Sequence, residues 1–268
     1  MASMLDDILV KVHEDLEVRK AIRSLEQLQK EVERTTSPRE ILPVFKGRDV
    51  CVIAEIKRRS PSKGDLATIT SPDLLAAMYA EGGAHAISIL TEPHFFSGSI
   101  DDLIAVRNAV ETPILRKDFI VSSYQLFESR LIGADLVLLI VAALEQKALE
   151  CLIDRSLSLG LTPIVEVHDK EEVSRAIDAG ANVIGVNNRN LKTLEVNHHQ
   201  FLELADLIPS SIIKIAESGI KTAQDLRMYA QAGADAVLVG EALVTNDDPG
   251  KLVHELVTAG AHPSVKHH

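Results

Sequence analysis

Five polar side chains stand at the ends of otherwise apolar segments: Lys57, Lys117, Glu166, Asn187 and Glu217, with Glu55 two residues before the first. Side chains on a strand alternate between faces, so Glu55 and Lys57 share one side of the segment 52–57. Charge at the mouth of an apolar strand lowers stability unless it is solvated or paired. The carboxyl ends of parallel strands are also where barrel enzymes keep their chemistry. Two lysines interleaved with glutamates in one cavity shift each other's proton affinities, which suits an enzyme that must both donate and accept protons near neutral pH. The alternative is that a strand end is simply where solvent begins. That account serves for any one of these residues and poorly for all five.

Anion-binding chemistry is written nearby. Arg58-Arg59-Ser60-Pro61-Ser62-Lys63-Gly64 offers cations, hydroxyls and a glycine, and the segment 58–65 is expected to close over a ligand. Further on, Glu217-Ser218-Gly219-Ile220 and Val239-Gly240-Glu241 leave the seventh and eighth apolar segments. In a barrel these two loops bind phosphate through backbone N–H groups. Gly219 and Gly240 would permit the close approach, although turns after strands use glycine in any case. The Glu241 carboxylate should point away from a phosphate, leaving its amide as the contact.

The elements that position these residues are legible. Eight short apolar runs, 52–57, 86–90, 113–117, 136–140, 162–167, 183–187, 213–217 and 236–240, alternate with helical periodicity such as 144–159 and 170–179. Gly83-Ala84, Gly133-Ala134, Gly180-Ala181 and Gly233-Ala234 each precede an even-numbered run, in steps of 50, 47 and 53 residues. Glycine suits the left-handed turn that closes a helix. The fourfold recurrence favours a closed (β/α)8 TIM barrel over an open doubly wound sheet. Residues 1–48 stand outside the repeat as a helical extension of a single domain spanning 1–268. In it Leu5, Ile8, Leu9 and Val12, then Ile22, Leu25 and Leu28, read as amphipathic helices covering one end of the barrel.

Composition narrows the function classes. A net charge of −11 and a pI near 5.4 argue against nucleic-acid or membrane partners. Two cysteines, Cys51 and Cys151, support neither a disulfide framework nor a zinc site. His94, His168, His198 and His199 lack metal-ligand spacing and read as isolated surface or loop residues. The first 20 residues are too acidic for a signal peptide. The longest apolar run, 136–144, is about half the ~20 residues that a spanning helix needs. A cytoplasmic protein is expected. Lys266-His267-His268 is either native or left from a tag.

The segments Ile53-Ala54-Glu55-Ile56-Lys57-Arg58-Arg59-Ser60-Pro61-Ser62, Ile89-Leu90-Thr91-Glu92, Leu115-Arg116-Lys117-Asp118-Phe119, Val165-Glu166-Val167-His168, Ile184-Gly185-Val186-Asn187-Asn188-Arg189 and Ala216-Glu217-Ser218-Gly219-Ile220 together resemble the indole-3-glycerol phosphate synthase family of tryptophan biosynthesis. The likeness runs in register from about residue 50 to residue 245, and the N-terminal extension resembles that family's extra helices. The resemblance implies conversion of 1-(2-carboxyphenylamino)-1-deoxyribulose 5-phosphate into indole-3-glycerol phosphate, with loss of carbon dioxide and water and without a metal or organic cofactor. It implies Lys117 as the acid at the ketose oxygen, with a second acid and a base among Glu166, Lys57 and Glu55. Asn187, Arg189 and Glu217 would orient the substrate, the first two near its carboxylate. Ser60, Gly219 and Gly240 would hold the phosphate, Ser218 would lie near hydroxyls or phosphate, and Phe119 and Leu138 would pack on the aromatic ring or serve as core. The partner implied is a small anionic phosphosugar, with contacts to other tryptophan-pathway enzymes also expected. One departure is Arg189-Asn190-Leu191 where relatives often carry Arg-Asp-Leu, which would loosen the loop modestly.

Rival readings stay open at this point. A Schiff-base aldolase would use neutral Lys57 or Lys117 as nucleophile. The neighbouring phosphoribosylanthranilate isomerase family resembles a pattern with Cys ending the first strand and Asp ending the sixth, where this chain has Glu55 or Lys57 and Asn187. A barrel that only binds sugar phosphates is a third possibility, since fold alone does not imply activity.

Overall fold

A computed structural model describes residues 3–190 and 194–262. Leu191 and the terminal Lys266-His267-His268 lie outside the described residues. The eight apolar runs form parallel strands β1 (Cys51–Ile56), β2 (Ala86–Leu90), β3 (Ile114–Lys117), β4 (Leu136–Ile140), β5 (Thr162–Val167), β6 (Val183–Asn187), β7 (Ile213–Glu217) and β8 (Ala236–Val239). They pair in sequence order and close, with β8 against β1 in the register Ala54 to Val239.

Alternation divides each strand between two cores. Cys51 and Ile53, Leu136, Leu138 and Ile140, and Ile213 and Ile215 pack inside the barrel. Val52, Ala54 and Ile56, Val137 and Leu139, and Val165 and Val167 pack outward against the helices. The inward series therefore arrives at Glu55, Lys117, Glu166, Asn187 and Glu217 at the carboxyl ends, while Lys57 sits one residue beyond β1.

The glycine repeat is a repeated helix stop. Gly83, Gly133, Gly180 and Gly233 have φ of 90°, 87°, 84° and 89°. In each case the following alanine N–H donates to the carbonyl five residues back, as Ala134 to Ser129 at 2.9 Å and Ala234 to Tyr229 at 3.0 Å. This is the Schellman pattern, which satisfies carbonyls the helix end would leave unpaired. Gly160, with φ 75° and Leu161 N–H on Ser156, makes a fifth that the Gly-Ala signature did not reveal.

The extension covers both ends of the barrel. Helix α1 (Met4–Ile22), begun by a Ser3 capping box, buries Leu5, Ile8, Val12 and Leu16. Its start lies over the carboxyl-end mouth. Arg19 Nε anchors its far end 2.9 Å from Glu128, and the Tyr124 hydroxyl lies 3.0 Å from the carbonyls of both Arg19 and Arg23. Ile22, expected on the buried face, is 79% exposed, because the chain breaks at Ser24, whose own capping box starts α2 (Leu25–Val32). Ile41 and Phe45, around the short helix α3 (Leu42–Phe45), pack with Cys51, Ile213 and Ala236 at the opposite end. No described helix is long and apolar enough to cross a membrane. Cys51 is buried and Cys151 exposed, and the two are not joined in a disulfide.

Gly133→Ala would combine a left-handed backbone with a Cβ 2.5 Å from Cγ of Arg107, whose guanidinium is held by Asp135. We expect a loss of about 1–2 kcal/mol or more in urea unfolding.

Candidate active site

At the carboxyl ends of the strands lies a cavity of about 250 Å³. It is lined by Glu55, Lys57 and Ser60 from β1 and its loop, Lys117 and Phe119 from β3, Leu138, Glu166, Asn187 and Arg189, then Glu217, Ser218 and Gly219, and Gly240 with Glu241, whereas Arg58 and Arg59 of the same loop pair with Asp102 and Asp65 outside it.

Lys117 organises the centre. Its Nζ is 2.9 Å from Glu166 Oε2 and 2.6 Å from Glu217 Oε2. Burial opposes charge on this lysine, but Glu166 and Glu217 outweigh it and hold the ammonium well above the ordinary lysine range. The two carboxylates diverge. Burial also opposes charge on Glu166, yet Lys117 and His168 keep it well below the usual carboxylate range. Burial pushes Glu217 up to about 7, with Lys117 offsetting only part of the effect and Glu166 adding repulsion. Glu217 Oε1 has no hydrogen-bond partner among the described residues.

A second pair stands on β1, where Lys57 Nζ is 2.7 Å from Glu55 Oε1 and Ser88 Oγ is 3.4 Å from the other carboxylate oxygen. Asn187 ties the β6 side together. Its Nδ2 donates to Glu166 Oε1 at 3.1 Å, while its Oδ1 accepts from Ser218 Oγ at 2.8 Å and from the Arg189 amide at 3.0 Å. Ser218 adopts φ 67°, a left-handed conformation that turns its hydroxyl back onto Asn187. The Arg189 guanidinium donates to the Leu194 carbonyl at 2.8 Å, and the Asn190 amide donates to Glu195 at 2.9 Å. The Asn190 bond comes from its backbone N–H, which an Asp at this position would supply equally.

At one side of the cavity a small hairpin, Arg59–Ser60 against Gly64–Asp65, brings Ser60 inward. Lys63 from its tip pairs with Glu241, so that carboxylate is turned to the loop's ammonium. Burial disfavours charge on Glu241, but the Lys63 hydrogen bond prevails and lowers its proton affinity. The opposite wall is apolar. Phe119, Leu138 and Ile140 meet Met4, Leu5 and Ile8 of α1, and Phe96 lies with its ring centroid 6.0 Å from that of Phe119.

Some contributors escaped the sequence reading. Leu5 and Ile8 carried only a helical signal and Met4 was not singled out, and nothing in that signal says which end of a barrel the helix covers. A Cβ on Gly185 would overlap Glu217 Oε1, and one on Gly240 would overlap Glu55 Oε1. These glycines make room for the carboxylates, and Gly240 is not in a left-handed conformation. Three of the four histidines named from the sequence, His94, His168 and His198, have side-chain partners. His94 Nε2 is 2.9 Å from Asp15, His198 Nδ1 is 3.3 Å from the Tyr229 hydroxyl, and His168 lies between Glu166 and Glu172. Among the described residues no group of three or more His, Cys, Asp or Glu could hold a metal ion.

Comparison with known proteins matches residues 5–256 to the family described as indole-3-glycerol phosphate synthase. The chain belongs to the indole-3-glycerol phosphate synthase family. It is 57% identical to the indole-3-glycerol phosphate synthase of Kineococcus radiotolerans over 98% of both chains. It is 56% identical to indole-3-glycerol phosphate synthase 1 of Streptomyces coelicolor, over 99% of this chain and 98% of the relative. Among solved structures, 3-hexulose-6-phosphate synthase from Salmonella typhimurium superposes with a TM-score of 0.65 at 14% identity, covering 78% of this chain and 98% of that one. At that identity the likeness speaks for the barrel fold alone. As in the indole-3-glycerol phosphate synthase family at large, the activity is that of a decarboxylating lyase in tryptophan biosynthesis.

Gly185→Ala should displace the Glu217 carboxylate from Lys117 while leaving the barrel folded. We expect at least a tenfold loss of kcat/KM with an unchanged far-ultraviolet circular dichroism spectrum. His168 yields a stability prediction. Burial disfavours its charge, but the adjacent carboxylates Glu166 and Glu172 outweigh that and raise it from 6.5 to about 10. The folded state therefore binds this proton more tightly than the unfolded one. The resulting stability is complete below about pH 6.5 and is lost as pH rises through about 10. In urea unfolding across that window, His168→Gln should flatten the decline.

Proposed function

We propose that this cavity carries out the family's decarboxylating ring closure and dehydration of 1-(2-carboxyphenylamino)-1-deoxyribulose 5-phosphate by general acid/base catalysis. The observation that carries the proposal is the Lys117 ammonium held between Glu166 and Glu217 beside an apolar wall. The aromatic ring packs against Phe119 and Leu138. The phosphate is held by Ser60 and the backbone at Gly219, Gly240 and Glu241, with Ser218 near the sugar hydroxyls or the phosphate. Arg189 and Asn187 orient the substrate carboxylate, and Glu217 positions Lys117.

In the first step the ring carbon bearing the carboxylate attacks the ketose carbonyl, whose oxygen takes a proton from Lys117. A carbonyl oxygen becoming an alkoxide is a strong base, so it draws a proton even from an ammonium with raised proton affinity. Loss of carbon dioxide restores the aromatic ring. The new hydroxyl then leaves as water, with one proton delivered and another removed by groups among Glu166, Lys57 and Glu55. The same ion pairs weigh against a Schiff-base reading. Imine formation needs a neutral amine, and Lys57 and Lys117 each sit on a carboxylate. They also weigh against a binder without turnover, because Glu55, Glu166 and Glu217 repel a doubly anionic ligand. The lining of the cavity by α1 supports reading 1–268 as one domain with 1–48 as its extension. A cytoplasmic location and contacts with other tryptophan-pathway enzymes belong to the same proposal, in keeping with a small phosphosugar substrate.

The chain contains no tryptophan, so indole fluorescence reports product alone. Lys117→Ala should retain the fold and lose about 10³-fold in kcat. Activity near that of the unaltered chain would move the acid role to another group.

A further inference from the structure

His168 was not among the candidate site residues, yet it touches Glu166, and what surrounds it is specific. Asp169 begins the helix α8 (Lys170–Asp178; the barrel helices between α3 and this one are α4, Pro72–Glu81, α5, Ile100–Ala109, α6, Ser123–Leu131, and α7, Gln146–Ser158) by accepting from the Glu172 amide at 2.9 Å. Glu172, the third residue of α8, reaches back to accept from the His168 backbone N–H at 2.7 Å. The same carboxylate oxygen lies 3.1 Å from His168 Nδ1. Gln200 donates its side-chain amide to the His168 carbonyl, so the residue is fixed from two helices. Its other nitrogen, Nε2, is buried, lacks an aligned hydrogen-bond partner, and stands 3.3 Å from Glu166 Oε1.

Each ring nitrogen thus faces a carboxylate oxygen. An ionised carboxylate only accepts, and a neutral imidazole would aim a lone pair at one of the two. The doubly protonated ring satisfies both.

We propose that His168 is a positioning residue for Glu166, acting as a cation that Glu172 grips from behind. Glu166 is then clamped on three sides: Lys117 from β3 on Oε2, Asn187 from β6 on Oε1, and His168 from its own strand end on Oε1. Glu217 from β7 meets it through the shared ammonium and repels it. With the Lys117 proton committed to the ketose oxygen during ring closure, His168 is the cation left facing Glu166, and it keeps that carboxylate ionised and oriented for the later proton transfers. The inference rests on the reading of Glu166 as an acid/base group.

The test is the pH profile of kcat/KM for the unaltered chain and for His168→Gln, His168→Lys, Glu172→Gln and Glu166→Gln, with thermal unfolding measured alongside. Substrate ionisation is common to all, so differences between profiles belong to the protein. His168→Gln keeps a donor but removes the charge, and its acid limb should move up by about one pH unit. Below the limb that is about a tenfold greater loss than on the plateau. His168→Lys should bring the limb back, and Glu172→Gln should move it in the same direction as His168→Gln by less. A loss uniform across pH and matched by lower thermal stability, or no change at all, overturns the proposal. If His168→Gln does not fold, an unmoved limb in Glu172→Gln has the same force. Full activity in Glu166→Gln would instead overturn the role of Glu166, a result distinguishable from failure of the His168 proposal alone.

Discussion

The buried ammonium of Lys117 between two glutamates is the constraint around which the site is arranged. Three charges in a mouth closed by apolar side chains interact through a low effective dielectric, so none can be removed without leaving its partners uncompensated. Burial, together with the excess of carboxylate around one lysine, raises Glu217 while Lys117 and His168 lower Glu166, so the two part in proton affinity. Two chemically identical side chains thereby become different groups at neutral pH. That asymmetry gives one cavity both an ionised carboxylate and a carboxyl near its midpoint, on either side of a cation that retains its proton until a stronger base arrives.

Backbone and packing provide the room for this cluster. Gly185 and Gly240 stand where a methyl group would overlap Glu217 and Glu55. Their role is steric, unlike that of the helix-stop glycines, whose left-handed turns deliver each even-numbered strand to its place in the barrel. Next to Lys117 the chain invests in rigidity. Arg116, on the outward face of β3 and fully buried, meets Asp118 at 2.9 Å, Thr91 at 3.2 Å and Ser129 at 3.2 Å. Asp118 in turn accepts from the Phe119 amide at 2.8 Å. The residues flanking Lys117 are therefore pinned from behind the sheet, while α1 closes the mouth in front and is itself tied through Arg19 to Glu128.

Much of this was open to reading in the chain. The eight strands fall within a residue or so of the apolar runs, because period-two alternation and apolar character coincide in strands packed on both faces. The helix stops at Gly83, Gly133, Gly180 and Gly233 were visible because a left-handed turn demands glycine. Ile22 misled because periodicity continues past the point where Ser24 ends one helix and starts the next. His168 misled because spacing along the chain carries no information about Glu166 and Glu172 on its two sides once a strand end turns into a helix.

The sequence by itself determined the eight-fold alternation of strand and helix and the strand ends at which Lys57, Lys117, Glu166, Asn187 and Glu217 gather, since these follow from local periodicity, alternation and turn chemistry, whereas Arg189, Phe119 and Leu138 came only through the family resemblance. The tertiary structure alone decided which carboxylate meets which cation. It set Lys117 on Glu166 and Glu217 across 49 and 100 residues of chain. It also laid α1 over the mouth, gave Gly185 its carboxylate neighbour and placed His168 between two acids. The reason is physical: pairing and proton affinity depend on distance and burial in space, and those distances exist only after the barrel closes.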